Sequence, residues 1–302
     1  MILTVSLNPV LQKTIVFSSF REGQVNRSSK YRFDASGKGV NVSRVLAQLG
    51  EKFVHITPAG GVFRDFFFSL LEKDGIRFES VESGADIRCC TTVLNKEKGT
   101  TTEIVEEAKP VSGDTEPAIR ELFLSKLPLA DAVILSGARA AGFSSEIFPF
   151  MVREARIQKK FVCLDIRGED LKNALTYSPD IVKPNLPEFF ETFFDGEHPD
   201  TTLTQGQCSV IKAKMNSLSN RYKTKIVLTN GAEEIFCSCP GKDFRTLRPG
   251  PVSAFNTTGC GDAFAAGFVS SFLRTKKIEN ALNEGVRCAA LNAVHVRPGV
   301  VS

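Results

Sequence analysis

The sequence predicts an α/β fold in three layers: a mostly parallel central sheet with helices on both faces, and a small antiparallel β lid. Two observations predict it. Strand-like apolar runs alternate with segments of helical periodicity over most of the chain, the pattern of a parallel sheet covered on both sides. Two stretches, Thr14–Phe33 and Arg88–Val105, break that rhythm with polar–apolar alternation rich in Val, Ile, Thr, Phe and Arg, and read as antiparallel strands.

In chain order, Ile2–Leu7 reads as the first strand, closed by Asn8-Pro9. After Gly37-Lys38-Gly39, the apolar positions Val42, Val45, Leu46 and Leu49 fall at i, i+3, i+4 and i+7, and Gly50 stops the helix. Phe53–Thr57 returns as a strand. Phe63, Phe66, Phe67, Leu70 and Leu71 form a second helical stripe, stopped by Gly75. Strands recur at Ala132–Leu135, Phe161–Leu164, Ile181–Lys183 and Ile226–Leu228, with helices around Glu146–Arg156, Leu186–Phe194 and Gln207–Tyr222. The run Ala263–Leu273 begins another helix directly after Gly259-Cys260-Gly261-Asp262. The two rhythm-breaking stretches cannot join a parallel sheet in sequence order, so they form a flap or lid over a site; an extension of the main sheet's edge is the alternative. No repeat, low-complexity segment or linker interrupts the chain. It reads as one domain over residues 1–302, with lid strands inserted at about 12–35 and 86–107.

Composition narrows the function. With 302 residues, 42% hydrophobic and 24% charged, the chain is neither disordered, collagen-like nor coiled coil as a whole. The balance of 38 − 34 = +4 is too mild and dispersed for a nucleic-acid partner. The 24 Phe against 3 Tyr and no Trp make the aromatic content core material. Among the eight cysteines, Cys89 and Cys90 are adjacent, Cys237 and Cys239 are one residue apart, and no C-x-x-C occurs. The histidines His55, His198 and His295 stand far in sequence from either pair, so reduced thiols are expected rather than zinc or a disulfide framework. The first residues lack a basic n-region and no apolar run approaches the roughly 20 residues of a membrane span, so a cytoplasmic protein without membrane contact is expected.

Three motifs carry chemistry. In Asn256-Thr257-Thr258-Gly259-Cys260-Gly261-Asp262, two glycines let backbone amides converge where the following helix aims its positive end, which makes an anion hole. Asp262 at that helix start can take a proton from an attacking hydroxyl, or merely favour the helix dipole. In Ala35-Ser36-Gly37-Lys38-Gly39-Val40-Asn41, a second glycine-bracketed helix start brings an ammonium and an amide together. It is not a dinucleotide fingerprint, because Val42 stands where the third glycine would. In Lys183-Pro184-Asn185-Leu186-Pro187-Glu188, Asn185 and Glu188 share a helix face and suit a hydrated Mg²⁺, or form a capping box. Neither G-x-x-x-x-G-K-S/T nor G-x-S-x-G occurs, which excludes a Walker scaffold and weighs against a serine hydrolase.

Together these motifs resemble the ribokinase-like PfkB family of carbohydrate kinases, over essentially the whole chain. The resemblance rests on Asn8-Pro9, Gly37-Lys38-Gly39-Val40-Asn41-Val42-Ser43-Arg44, Lys183-Pro184-Asn185 with Glu188, Thr229-Asn230-Gly231-Ala232 and Asn256–Phe264. Lys38 followed by Asn-Val-Ser-Arg, Ile87-Arg88 and Thr102-Glu103-Ile104 resemble the branch of 1-phosphofructokinases, tagatose-6-phosphate kinases and the minor 6-phosphofructokinase. The resemblance implies a ribokinase-like fold and phosphoryl transfer from ATP, with Mg²⁺, to a ketohexose monophosphate. Asp262 would be the base, and the amides of Gly259, Cys260 and Gly261 would hold charge on the migrating phosphoryl group. Asn185 and Glu188 would organise the metal through water. Lys183, Asn185, Thr229, Gly231 and Asn256, with Gly259 and Gly261, would hold the nucleotide. Gln12, Gly37, Lys38, Gly39, Asn41, Arg88 and Arg139 would make up the sugar site, with Lys38 and Arg88 on its phosphate. A homodimer through the lid is the expected assembly.

Three departures bear on the substrate. Gln12 stands where the family carries an Asp that grips sugar hydroxyls. The loop Ser136-Gly137-Ala138-Arg139-Ala140-Ala141-Gly142 loses a hydroxyl and two prolines but gains a cation, and Asp165-Ile166-Arg167-Gly168 replaces Asp-Ser/Thr-Ser-Gly. A kinase of another sugar or nucleoside, or a catalytically weak sugar-phosphate-binding protein, are the competing readings.

Overall fold

The structure, a computed structural model, describes residues 1–194 and 203–302; His198 lies outside the described residues. A nine-stranded sheet runs in the order β13-β12-β11-β10-β9-β8-β1-β4-β5. Its parallel part comprises β1 (Ile2–Val5), β4 (Phe53–Ala59), β5 (Phe78–Glu82), β8 (Ala132–Ser136), β9 (Phe161–Asp165), β10 (Ile181–Val182) and β11 (Lys225–Leu228); β12 (Ile235–Ser238) and β13 (Arg245–Leu247) close one edge antiparallel. Side chains alternate between two cores, as a strand's period of two requires. Leu3, Val5, Val133 and Leu135 face one core with helices α3 (Thr115–Lys126), α4 (Ile147–Ile157), α5 (Gly168–Leu175), α6 (Leu186–Phe193) and α7 (Gln205–Tyr222). Ile2, Ala132 and Ile134 face the other with α1 (Lys38–Gln48), α2 (Arg64–Lys73), α8 (Cys260–Thr275) and α9 (Ile278–Ala293). The three layers and the parallel sheet are as the sequence predicts.

The second sheet is separate, in the order β3-β2-β6-β7. The hairpin β6 (Arg88–Asn95) to β7 (Thr100–Val105) turns where expected, and β2 (Val10–Phe17) pairs antiparallel with β3 (Tyr31–Ser36). The two hairpins join through a parallel pairing of β2 with β6, Val10 opposite Arg88 and Phe17 opposite Asn95. This lid is spliced in between β1 and α1 and between β5 and α3, so its strand ends reach the carboxyl edge of the main sheet. Sequence periodicity did not reveal β5, α3, α5, β12, β13 or α9. All eight cysteines are free, and no helix among the described residues is long and apolar enough to cross a membrane.

Helices α8 and α9 pack closely through glycines. A methyl group at Gly285 would lie 2.8–2.9 Å from three atoms of the Phe264 ring, and one at Gly267 would lie 2.6 Å from Cys288 Sγ. Along α8, Phe264, Phe268 and Phe272 stack at successive ring separations of 6.0 Å. Gly285→Ala should therefore destabilise the protein by about 1 kcal/mol: overpacking of about 1–3 kcal/mol outweighs a helix-propensity gain of about 1. Urea denaturation checks this, and a net gain would mean that Phe264 has room to move.

Candidate active site

The parallel strands end on one edge, and the order of chain connections reverses at β1, the place where α/β sheets open a crevice. A cavity of about 700 Å³ lies there. Asp165 ends β9, Lys183 follows β10 and Thr229 follows β11, with the Asn185–Thr229 bridge drawing the last two loops together. The lid supplies Gln12, Arg88 and Glu103, α1 supplies Lys38 and Asn41, and α8 supplies Gly261 and Asp262.

Asp262 occupies the first turn of α8 and is buried. Gly259 caps this helix in the left-handed conformation (φ 81°), and a methyl group there would lie 2.9 Å from Pro298 Cβ, so both the turn and the packing require glycine. Asn292 holds the turn in place: its Nδ2 donates to Thr258 O at 2.9 Å, and its Oδ1 accepts from Gly299 N at 2.6 Å. The Cys260 amide donates to Thr257 O at 3.2 Å, so it is committed to the turn. The amides of Gly261 and Asp262 are those left without intrahelical partners at this N-terminus. A methyl group at Gly261 would lie 3.4 Å from Lys183 Nζ, so an ammonium stands beside these amides.

The charges are tightly arranged. Asn41 Nδ2 donates to Asp262 Oδ2 at 2.8 Å. Lys38 Nζ lies 2.6 Å from Glu188 Oε1 and 3.3 Å from Asp165 Oδ1, and Lys183 Nζ lies 3.3 Å from Asp165 Oδ2. Two ammonium groups thus serve three buried carboxylates. Burial, and then the negative charge of Asp165, push Asp262 up to about 6, against the opposing pull of Lys38, Asn41 and Lys183. Asp165 goes the other way: burial would raise it, but Lys183 and Lys38 together hold it below its ordinary value. The two carboxylates are thus driven apart, Asp262 toward its protonated form and Asp165 toward its ionised form.

Several expected residues have partners within the protein, and some of them lie off the cavity lining. Lys38, expected on the sugar's phosphate, is drawn to Asp165 and Glu188 beside Asp262. Gly39 does not line the cavity; a methyl there would lie 2.8 Å from Ser6 Cβ and 3.1 Å from Val5 O, so it serves close packing of α1 on β1. Arg139 is also off the cavity lining, its guanidinium held by Asp170 at 3.0 Å and by Phe143 O at 2.6 Å. Asn256 shapes the anion-hole loop, accepting from Thr258 N at 3.0 Å and donating to Val296 O at 2.7 Å. Asn185 and Glu188 form a complete capping box on α6. Glu188 Oε1 holds Lys38 while Oε2 accepts from Asn185 N at 3.0 Å, and Asn185 Oδ1 accepts from Glu188 N at 2.8 Å. Among the described residues no group of three His, Cys, Asp or Glu is placed to hold a metal ion. Glu188 Oε1 is thus engaged by Lys38, and Glu188 Oε2 and Asn185 Oδ1 by the capping box.

Lys38 and Asn185, whatever their partners within the protein, line the cavity with most of the expected set. Gln12, Gly37, Lys38, Asn41, Arg88, Lys183, Asn185, Thr229, Gly231, Gly259, Cys260, Gly261 and Asp262 all line the one cavity. Two features were missed. Asp165 is the hinge of the charge cluster. The cavity is also lined by the aliphatic residues Ala232, Ile235, Val252, Val286, Ala289, Ala290 and Ala293, which form a slot. The α9 residues of that slot recur at i, i+3, i+4 and i+7, a spacing visible in the sequence but shared with any core-facing helix.

The family model described as pfkB family carbohydrate kinase matches residues 6–299. The tetrameric inhibited form of phosphofructokinase-2 from Escherichia coli superimposes with a TM-score of 0.85 at 22% identity, covering 97% of this chain and 94% of that one. A possible 1-phosphofructokinase from Thermotoga maritima gives 0.83 at 23% identity over 98% and 92%. A putative ribokinase from Agrobacterium tumefaciens gives 0.79 at 16% over 99% and 92%. These neighbours share the fold.

Because Asp262 is raised from 3.8 to about 6 in the folded protein, its ionised form works against folding. That destabilisation is absent below pH about 3.8, where folded and unfolded carboxyls are both neutral, and grows to about 3 kcal/mol above pH about 6. Asp262→Asn should therefore stabilise the protein by about 2–3 kcal/mol at pH 8 and by nothing near pH 3.5. Equilibrium unfolding at the two pH values measures this, and equal shifts at both would refute the raised ionisation.

Proposed function

The chain belongs to the pfkB family of carbohydrate kinases, and within that family we propose that it transfers the γ-phosphoryl group of ATP to a hydroxyl of a ketohexose monophosphate, giving a bisphosphate and ADP. Fructose-1-phosphate, tagatose-6-phosphate and fructose-6-phosphate are the substrates of this class. The observation that carries the reading is the convergence of a raised, buried carboxylate, two unpaired helix N-terminal amides and two lysines in a cavity that also has an aliphatic lining.

Asp262 Oδ2 is held by Asn41, which leaves Oδ1 for the acceptor hydroxyl. The hydroxyl proton passes to Asp262, its oxygen bonds to the γ-phosphorus, and the bond to the β-phosphate oxygen breaks. The Gly261 and Asp262 amides, with Lys183 and Lys38, support the charge on the transferring group. The aliphatic slot takes the adenine. ATP enters as its magnesium complex, so the metal belongs to the substrate. Arg88 suits the phosphate already on the sugar: it lines the cavity from the lid, and its Nε has no partner among the described residues. Gln12 spends its amide donor inside the lid sheet, on Thr92 Oγ1 at 2.9 Å and Cys90 O at 3.2 Å, so it offers sugar only a neutral acceptor. A homodimer through the lid belongs to the same reading, since the edge strand β7 is exposed along its whole length and carries Ile104 to solvent.

Purified protein given ATP and Mg²⁺ should consume ATP with ketohexose monophosphates and not with unphosphorylated sugars or nucleosides; the reverse preference would favour another PfkB activity. Asp262→Asn should lower kcat by at least about 10²-fold with little change in KM. Arg88→Ala should raise KM for the sugar phosphate but not for ATP, by the 10- to 100-fold that corresponds to roughly 1.5–3 kcal/mol for one charge-assisted hydrogen bond. Gln12→Asp should sharpen discrimination between fructose and tagatose phosphates by about 1–2 kcal/mol in kcat/KM. An unchanged ratio would place Gln12 outside the sugar contacts.

A further inference from the structure

We propose that Arg44 is a positioning residue for the base: it fixes which face of the Asn41 amide meets Asp262. The inference rests on the role given to Asp262 above. An asparagine amide fits its site in two orientations of nearly the same shape, and the partners of its oxygen and nitrogen decide between them. Here Asn41 Oδ1 accepts from Arg44 Nη1 at 2.9 Å and from Ser36 Oγ at 3.3 Å, while Nδ2 donates to Asp262 Oδ2 at 2.8 Å. A guanidinium can only donate, so Arg44 admits only the oxygen of Asn41 on its side. The reversed amide would set Oδ1 against the Asp262 carboxylate and turn its own NH₂ toward Arg44, two repulsive contacts at once.

Arg44 lies on α1 among Val40, Val42, Val45 and Leu46, all fully buried, and is itself 2% exposed. An aliphatic residue would pack there without the desolvation of a charge. Instead the fork is fixed from four segments. Nε donates to Asp74 at 2.9 Å, Nη1 also to Pro298 O at 3.0 Å, and Nη2 to Ala35 O at the end of β3. Arg297 also ion-pairs with Asp74, so that carboxylate is shared between Arg44 and a second cation, while Asp34 is held by Arg32 and Arg297. A methyl group at Gly299 (φ 77°) would lie 3.1 Å from Arg44 Nη1, and the same C-terminal loop places Pro298 against Gly259 of the anion hole. Arg44 thus registers α1 and the loop beneath the α8 N-terminus in one frame.

The charged and titratable groups facing Asp262 are Lys38 from α1, Asp165 from β9, Lys183 after β10 and Cys260 on its own helix. None contacts Arg44. A change at Arg44 therefore reaches Asp262 through Asn41, and its signature is a displaced ionisation rather than a lower rate alone.

The test is the pH profile of kcat/KM for a ketohexose monophosphate in wild type, Arg44→Lys, Asn41→Leu and the double variant. Arg44→Lys keeps a charge for Asp74 but replaces the fork by one nitrogen. The expected result is an acid limb moved to higher pH by at least half a unit, kcat at pH 7 lowered about tenfold, KM for ATP within twofold, and no further loss when Arg44→Lys is added to Asn41→Leu. An unmoved limb, or losses that multiply in the double variant, overturns the proposal. Should Arg44→Lys fail to fold, the pair Arg44→Met with Asp74→Asn, which removes both buried charges together, is read by the same two criteria. Asp262→Asn separates the two claims. Full activity in that variant refutes the base itself, whereas its loss with an unmoved limb in Arg44→Lys refutes only the role of Arg44.

Discussion

The 2.8 Å hydrogen bond from Asn41 to Asp262 joins two helix N-termini that lie 221 residues apart in sequence, and the site depends on it. Helices α1 and α8 lie on the same face of the main sheet, each opening from a glycine turn, so both aim their positive ends at the same space. A buried carboxylate between them has two opposing influences: burial with Asp165 holds on to its proton, while Asn41 and the two lysines favour its ionisation. The balance leaves Asp262 near neutrality, where a proton acceptor is most useful. The same balance makes the ionised protein less stable than a neutral isostere would be, the usual relation between a functional site and folding.

The lid is tied to that corner covalently and by contact. Strand β3 runs into Ser36 and Gly37, the turn that starts α1, so the lid and α1 share a backbone joint. At the α8 N-terminus, Thr258 Oγ1 donates to Glu103 of β7 at 3.1 Å, and Lys96 of the lid turn lies 5.5 Å from the Phe255 ring. The lid hairpin therefore touches the loop that forms the anion hole. A sugar phosphate drawn to Arg88 and a nucleotide lying along α9 would meet the same two walls.

Much of this was legible in the sequence, and the exceptions have physical causes. Strands buried in the parallel sheet and the stripes of α1 and α2 follow from periodicity alone, because each element's own residues decide it. Asn185 and Glu188 could cap a helix or hold a metal; the local capping geometry is what formed, as backbone amides three residues away are always within reach. No local pattern in the sequence shows that Asp165 and Glu188, 127 and 150 residues on, approach the Lys38 ammonium. Arg139 stands in an altered loop, and its partner Asp170, on the next helix but one, is not visible from that loop's sequence. Gln12 was recognised as a departure, but the turning of its donor into the lid depends on the parallel pairing of β2 with β6, which strand periodicity does not specify. Asp165 begins a segment that departs from the family pattern, and its place in the charge cluster depends on Lys38 and Lys183, which no local pattern brings to it.

The central claim is that folding drives the ionisation of one carboxyl group, Asp262, toward neutral pH. Its direct measure is the ¹³C titration of the Asp side-chain carboxyls in isotopically labelled protein, with the Asp262 signal assigned by its loss in Asp262→Asn. The account predicts a resonance that titrates near pH 6, well above the ordinary aspartate value of 3.8. A signal that titrates at or below the ordinary value would contradict it, whatever the kinase activity of the protein.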